Sequence, residues 1–125
     1  MTTKPMRRAI VLENELAFAE KLNQMLISLG YEAVVSTDAR LSYATSLQDT
    51  DIVFVDIQRP QFSGRQVLEQ LAHQKAKSPI ILMSSHFDRL EIVEKLATKL
   101  NLNLIGALEK PFGLEDLRDV LPGPS

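Results

Sequence analysis

Side chains that could do chemistry stand directly after the predicted strands of this sequence. They are Glu13, Asn14 and Glu15 after the first apolar run, Asp56 and Ser84 at the ends of the third and fourth, and Lys110 after the fifth. In an open α/β sheet, ligands bind beyond the carboxyl ends of the strands, so these groups should face one crevice. Carboxylate and amide oxygens suit Mg²⁺, and a lysine opposite them can neutralise a phosphoryl group.

Five repeats of a strand followed by a helix would position these residues. The apolar runs predict strands at Arg8–Leu12, Glu32–Ser36, Ile52–Asp56, Ile80–Ser84 and Leu104–Leu108. Helical spacing predicts five helices. The first contains Phe18 and Leu26 and ends at Gly30, and the second runs from Asp38 to about Leu47. The third has Val67, Leu68 and Leu71 facing the core, the fourth begins at Asp88, and the fifth spans Leu114–Leu121. The alternation indicates an α/β fold with a parallel sheet. Strand two carries no comparable polar end, which suits an edge strand in the order 2-1-3-4-5.

Composition restricts the function classes. The 125 residues are 45% hydrophobic and carry a net charge of −2, which predicts a single domain (1–125, core about 6–121) with 122–125 as a linker-like tail. The absence of Cys and the presence of 2 His argue against disulfides, a thiolate nucleophile and a zinc cluster. The charge balance argues against nucleic-acid binding. Strand-length apolar runs and the lack of a leader predict a cytoplasmic protein without a membrane span.

Three motifs, each at the end of the appropriate strand, give the chain its resemblance to a known family. They are Asp56 with Pro60 and Gly64 after it, Pro79-Ile80-Ile81-Leu82-Met83-Ser84-Ser85, and Lys110-Pro111-Phe112. Over about residues 6–121 the chain resembles the receiver domains of two-component response regulators, which implies a flavodoxin-like (βα)5 fold. A lengthened fourth helix followed by the segment from Leu104 to Phe112 is similar to receivers that precede EAL-type phosphodiesterase domains.

The resemblance implies a role for each residue of the crevice. Asp56 would accept a phosphoryl group from a histidine kinase or phosphotransfer protein, assisted by Ser84 and Lys110. Glu13, Asn14, Asp56 and the backbone carbonyl of Gln58 would hold Mg²⁺, with Mn²⁺ as a substitute. The Lys110–Pro111 bond would be cis, and His86, Arg59 and Glu15 are candidates for tuning the reaction. The domain would signal in a phosphorelay to a partner or an output domain outside this chain, with dimer formation open, and would not turn over a free substrate.

Two positions depart from the family pattern. The second acid after strand one is usually Asp and is here Asn14, whose amide brings no charge and should weaken metal binding. Ala107 stands where the family commonly has a Tyr or Phe that rotates on activation. These departures leave open a pseudo-receiver that acts as a phosphorylation-independent interaction module. An FMN protein and a stand-alone Mg²⁺-dependent phosphohydrolase are further alternatives, although the acids after strand one would repel a phosphate unless a metal intervened.

Overall fold

The computed structural model describes residues 7–36, 47–57 and 64–122. Five parallel strands form one sheet in the order β2-β1-β3-β4-β5. The strands are β1 (Arg7–Leu12), β2 (Tyr31–Ser36), β3 (Ile52–Asp56), β4 (Ile80–Ser84) and β5 (Leu104–Glu109). The helices in the described part are α1 (Leu16–Ser28), α2 (Gly64–His73), α3 (Phe87–Lys99) and α4 (Leu114–Val120). The predicted α/β fold and strand order are confirmed.

Side chains that alternate along the strands divide the core into two layers. In β1, Ile10 and Leu12 pack in one buried cluster with residues of α2 and α3, whereas Ala9 and Val11 pack in the other with residues of α1 and α4. Successive strand residues point to opposite faces, so a strand covered on both faces must be apolar throughout. All five residues of β3 and of β4 are accordingly buried.

Most of the predicted element ends agree with the structure within one residue. Gly30, which follows Leu29, the C-cap of α1, adopts a φ of 89°, the left-handed conformation that commonly follows a helix end. Two predictions were wrong in detail. Helix α3 begins at Phe87, not at Asp88, because His86 is extended and its carbonyl accepts the N–H of Leu90. Helix α4 ends at Val120 because Leu121 precedes a proline, which disfavours helical backbone there.

Some predictions fall outside the described residues. They are the helix starting at Asp38, the metal-binding carbonyl of Gln58, the roles of Arg59 and Pro60, and the last three residues of the tail. Leu47, where the helix from Asp38 was expected to end, is described and packs against the cluster that contains Ile10.

An ion pair braces the end of the sheet opposite to the polar strand ends. The guanidinium of Arg8 in β1 donates to both carboxylate oxygens of buried Asp51, at 3.1 and 2.5 Å. Asp51 also accepts the backbone N–H of Gln48 at 2.8 Å, and the Gln48 carbonyl accepts the Ser78 hydroxyl at 2.8 Å. These bonds tie β1 to the segments that lead into β3 and β4.

The close approach of α2 to the end of β3 requires a glycine at position 64. A Cβ on Gly64 would lie 2.7 Å from Cβ of Ile57 and 2.9 Å from its Cα. Backbone atoms cannot move aside as the end of a flexible side chain can. Residue 64 therefore sets how closely α2 packs beside the segment that follows Asp56.

We expect Gly64→Ala to lower the free energy of unfolding by about 1–3 kcal/mol, because the added methyl group forces α2 away from Ile57. Urea denaturation would measure the loss. Gly113→Ser is the control, since the nearest atom to a Cβ there is 3.9 Å away and serine is a good helix N-cap. Equal stabilities of Gly64→Ala and the parent protein would show that α2 can shift freely.

Candidate functional site

The polar strand ends converge on one open cleft at the carboxyl edge of the sheet. The cleft has a volume of about 410 Å³ and is lined by Asn14, Glu15, Phe18, Asp56, Ser85, Lys110 and Pro111. Glu13 and Ser84 are buried directly beneath this edge, each with 0% exposure. The parallel arrangement produces the convergence, because β1, β3, β4 and β5 all end on the same side.

Lys110 lies between two buried carboxylates. Its Nζ is 2.6 Å from Oε2 of Glu13 and 3.5 Å from Oδ2 of Asp56. The ammonium itself is almost buried, with a side-chain exposure of 10%. The strand ends fix this arrangement: the Lys110 N–H donates to the Ser84 carbonyl at 2.8 Å, and the Ile57 N–H donates to the Met83 carbonyl at 3.0 Å.

Glu13 is the acid most strongly affected by this environment. Burial, followed by a hydrogen bond with Asp56, raises the pKa of Glu13 to about 7, while the Lys110 ammonium and the N–H of Glu15 oppose the rise. The Glu15 N–H donates to Oε1 of Glu13 at 3.1 Å. Because burial makes the charge of this carboxyl group unfavourable, a cation bound next to it would favour its ionised form.

The side chains at the cleft also fit a divalent cation. Oε2 of Glu13 is buried and receives no hydrogen bond within the described ranges, since its short contact with Lys110 is an ion pair without hydrogen-bonding alignment. Glu13 and Asp56 supply hard anionic oxygens, and Asn14 adds an amide at the exposed rim. This donor set suits Mg²⁺, with one charge fewer than an aspartate at position 14 would give.

Ser84 is positioned by the turn into α3. Its hydroxyl oxygen accepts the backbone N–H of His86 at 3.0 Å, which leaves the hydroxyl hydrogen to be donated elsewhere. The His86 side chain is exposed and occupies the N-cap position of α3. Its contact with the site is therefore made by its backbone. Ser85, beside Ser84, lines the cleft.

The predicted residues differ in how deeply they enter the site. Glu13, Asp56, Ser84 and Lys110 form its buried centre, whereas Asn14 and Glu15 line its exposed rim. The Lys110–Pro111 bond is cis, as expected. Ala107 is half-buried and packs against the cluster that contains Ile10.

Sequence reasoning missed the part of Phe18 in this cleft. Its ring lies under the Lys110 ammonium, with Nζ 4.4 Å from the ring centroid. Helical spacing had placed Phe18 among the core residues of α1, and the ring does pack against the cluster that contains Leu22. Its position in the first turn of α1, directly after the acids, was the available signal.

The raised pKa of Glu13 predicts that the metal-free protein loses stability as pH rises. The carboxyl titrates near 4.5 when unfolded and near 7 when folded, so the folded state holds an extra proton between these values and loses it above them. In EDTA, we expect this group alone to lower the free energy of unfolding by on the order of 3 kcal/mol between about pH 5 and about pH 8.

Urea denaturation of the parent and Glu13→Gln at both pH values would isolate the contribution of Glu13 to the pH dependence of stability. Glutamine has the shape of the glutamate side chain and cannot ionise. We expect the parent to lose more stability than the variant does. Identical pH dependence of the two proteins would contradict the burial of an ionisable Glu13.

Comparisons with known proteins agree with the fold. The sequence model of the response regulator receiver domain matches residues 9–122. Over 114 residues, the chain is 29% identical to the transcriptional regulatory protein FixJ of Bradyrhizobium diazoefficiens, covering 90% of this chain and 52% of FixJ. The chain spans about half the length of the curated relatives it matches.

Solved structures show the same architecture. A response regulator from Colwellia psychrerythraea superposes with a TM-score of 0.81 at 25% identity, covering 90% of this chain and 91% of the other. The receiver domain of a sensor histidine kinase from Pseudomonas aeruginosa superposes with a TM-score of 0.72 at 21% identity, covering 93% and 94%. That structure contains a magnesium ion in its active-site cleft.

Helices of the described ranges are all too short or too polar to cross a bilayer. The match identifies the domain as a signalling module. With its sheet order, its polar cleft and a family match over nearly its whole length, the chain belongs to the response regulator receiver domains of two-component signalling systems.

Proposed function

We propose that this chain accepts a phosphoryl group on Asp56 from a phosphohistidine of a kinase or phosphotransfer protein. The observation that carries the proposal is the position of Asp56, at the end of a fully buried strand and at the floor of an open cleft, 3.5 Å from the Lys110 ammonium. Among the described residues, this carboxylate faces the cleft and has a cation beside it. An incoming phosphorus atom can therefore approach Asp56 from the cleft.

The transfer makes one bond and breaks one. An oxygen of the Asp56 carboxylate attacks phosphorus in line with the leaving nitrogen, a P–O bond forms, and the P–N bond breaks with its electron pair passing to the imidazole. Lys110 offsets the charge on Asp56 and the phosphoryl oxygens as they approach each other. Ser84 can donate its hydroxyl hydrogen to a phosphoryl oxygen, since its own oxygen already accepts from His86.

Glu13, Asn14 and Asp56 would hold the divalent cation, with the carbonyl of Gln58 proposed as a further ligand. When bound, the cation shields the carboxylate of Asp56 from the negative charge of the phosphoryl group. The magnesium in the Pseudomonas receiver supports this assignment. Mn²⁺ has the same preference for oxygen ligands and should replace Mg²⁺. The signal would then pass to an output domain or a partner, as the match to only 52% of FixJ suggests.

We expect acetyl phosphate, a small phosphodonor, to add one phosphoryl group to the protein in Mg²⁺ and none in EDTA. Intact mass measurement would detect the addition. Asp56→Asn should abolish it, because an amide is not a nucleophile of comparable strength. Asp51→Asn is the matched control: Asp51 is an equally buried acid at the opposite end of the sheet, so this variant should still be phosphorylated if it folds.

The position of Asn14 generates a second expectation. Asn14→Asp adds a charge at the rim of the metal site and should lower the Mg²⁺ concentration for half-maximal phosphorylation by roughly tenfold. Asn101→Asp is the control, since it adds the same charge at the exposed end of α3, away from the cleft. An unchanged Mg²⁺ midpoint in Asn14→Asp, or an equal fall in both variants, would show that residue 14 does not contribute to metal binding.

The pseudo-receiver is the second candidate, and two residues favour it. Asn14 removes a charge from the metal site, and Ala107 places a methyl group where the family commonly has an aromatic ring. A pseudo-receiver would keep the fold and fail to take up a phosphoryl group at any Mg²⁺ concentration. The retention of Asp56, Ser84 and Lys110 in one buried cluster supports the phosphoacceptor instead.

A further inference from the structure

An aromatic pair lies directly under the cation of the site. The Phe18 ring centroid is 4.4 Å from Nζ of Lys110. The Phe112 ring, which follows Lys110 by two residues, meets the Phe18 ring at 78° with the centroids 5.3 Å apart. Phe18 alone of the pair contacts the ammonium, from the first turn of α1, and Phe112, which precedes α4, supports the Phe18 ring.

The physical basis of this contact is the negative face of an aromatic ring. An ammonium within about 6 Å of the centroid is attracted to that face, and the attraction grows as water is excluded. The side chain of Lys110 is only 10% exposed, so water screens the contact little. The nearly perpendicular packing of Phe112 on Phe18 is a favoured arrangement of two rings and fixes the tilt of the Phe18 face.

The ring differs from the other groups around the ammonium in one respect. Glu13 and Asp56 are both groups that a divalent cation would take as ligands, so their hold on Lys110 weakens when the cation binds. Phe18 is neutral and cannot ligate Mg²⁺, so its contact with Lys110 is independent of the metal. The contact between Phe18 and Lys110 can therefore remain when Glu13 and Asp56 bind a divalent cation in place of the Lys110 ammonium.

We propose that Phe18 is a positioning residue for phosphoryl transfer, which keeps the Lys110 ammonium over the cleft when Glu13 turns to the metal. This inference rests on the proposed phosphorylation of Asp56. The ring limits the ammonium to movement across its face, between Glu13 and Asp56. The ammonium therefore samples fewer positions before it contacts the phosphoryl oxygens.

Lysine-selective NMR tests the contact without using activity. The ring current of Phe18 should shift the ε-methylene resonances of Lys110 upfield in the parent protein. Phe18→Leu, which keeps an apolar side chain and removes the ring, should return them to the usual lysine position, and Phe18→Tyr should keep them shifted. Lys110→Arg assigns the signal. A Lys110 resonance that is the same in the parent and in Phe18→Leu would overturn the proposal.

Phosphorylation by acetyl phosphate at saturating Mg²⁺ tests the consequence. Phe18→Leu should lower the maximal rate about fivefold, the factor expected for loss of one partly desolvated cation–π contact. Phe18→Tyr, which keeps a ring under the ammonium, should have the rate of the parent protein. Phe112→Leu leaves the ring under the ammonium and should have the smaller effect. A normal rate in Phe18→Leu would overturn the positioning role. If the parent protein takes up no phosphoryl group, both the proposed function and the positioning role of Phe18 are wrong. A shifted Lys110 resonance would in that case still show that the contact between Phe18 and Lys110 exists.

A double-mutant cycle guards against a general loss of structure. Urea unfolding of the parent, Phe18→Leu, Lys110→Met and the double variant should give a coupling of about fivefold in the unfolding equilibrium constant. Additive effects of the two substitutions would mean that Phe18 stabilises α1 alone, and would overturn the proposal.

Discussion

Two carboxylates buried at the same edge of a sheet repel each other unless a cation or a shared proton lies between them. In this domain the edge is crowded by Glu13 and Asp56, and the chain supplies the Lys110 ammonium at 2.6 and 3.5 Å from them. Burial and the neighbouring Asp56 raise the pKa of Glu13, although the Lys110 ammonium opposes the rise. A cation bound beside Glu13 would therefore favour its ionised form.

The sheet makes this arrangement obligatory. Parallel strands in register carry Glu13, Asp56, Ser84 and Lys110 to one edge, and each is the residue at which the chain leaves a strand or has just left one. The apolar layers on both faces prevent the strand ends from tilting to separate the charges. The Arg8–Asp51 ion pair at the opposite end joins β1 to the segment before β3. Strand packing therefore stabilises a cluster of charges that would be unfavourable without it.

The sequence was sufficient for the parts of the structure that depend on local pattern. Apolar runs of five residues predicted β3 and β4 to the residue, since no other element buries every side chain of so short a segment. The cleft followed from the residues at the strand ends. The predicted start of α3 was wrong because an acid in the first turn cannot be told from an N-cap residue in a sequence. The extended backbone of His86 shows that His86 is the N-cap and that Asp88 lies in the first turn.

Contacts between distant elements could not be predicted in this way. Phe18 has the spacing of a core residue, and only the packing of α1 against the chain after β5 shows that its ring lies beneath Lys110. The closer approach of Lys110 to Glu13 than to Asp56 depends on distances of about 1 Å, which no periodicity encodes. The Arg8–Asp51 pair joins residues 43 positions apart and has no motif.

Asn14, in place of the second acid, changes how strongly a divalent metal ion competes with the Lys110 ammonium for Glu13 and Asp56. Glu13, Asp56 and Lys110 together carry a formal charge of −1, and an aspartate at position 14 would make it −2. A smaller negative charge attracts a divalent cation less, while the ammonium keeps its short contact with Glu13. Asn14 therefore shifts the balance towards the metal-free arrangement, compared with an aspartate at the same position. Because Phe18 holds the ammonium by a contact that this competition does not change, Lys110 stays within reach of Asp56 whichever cation Glu13 accepts.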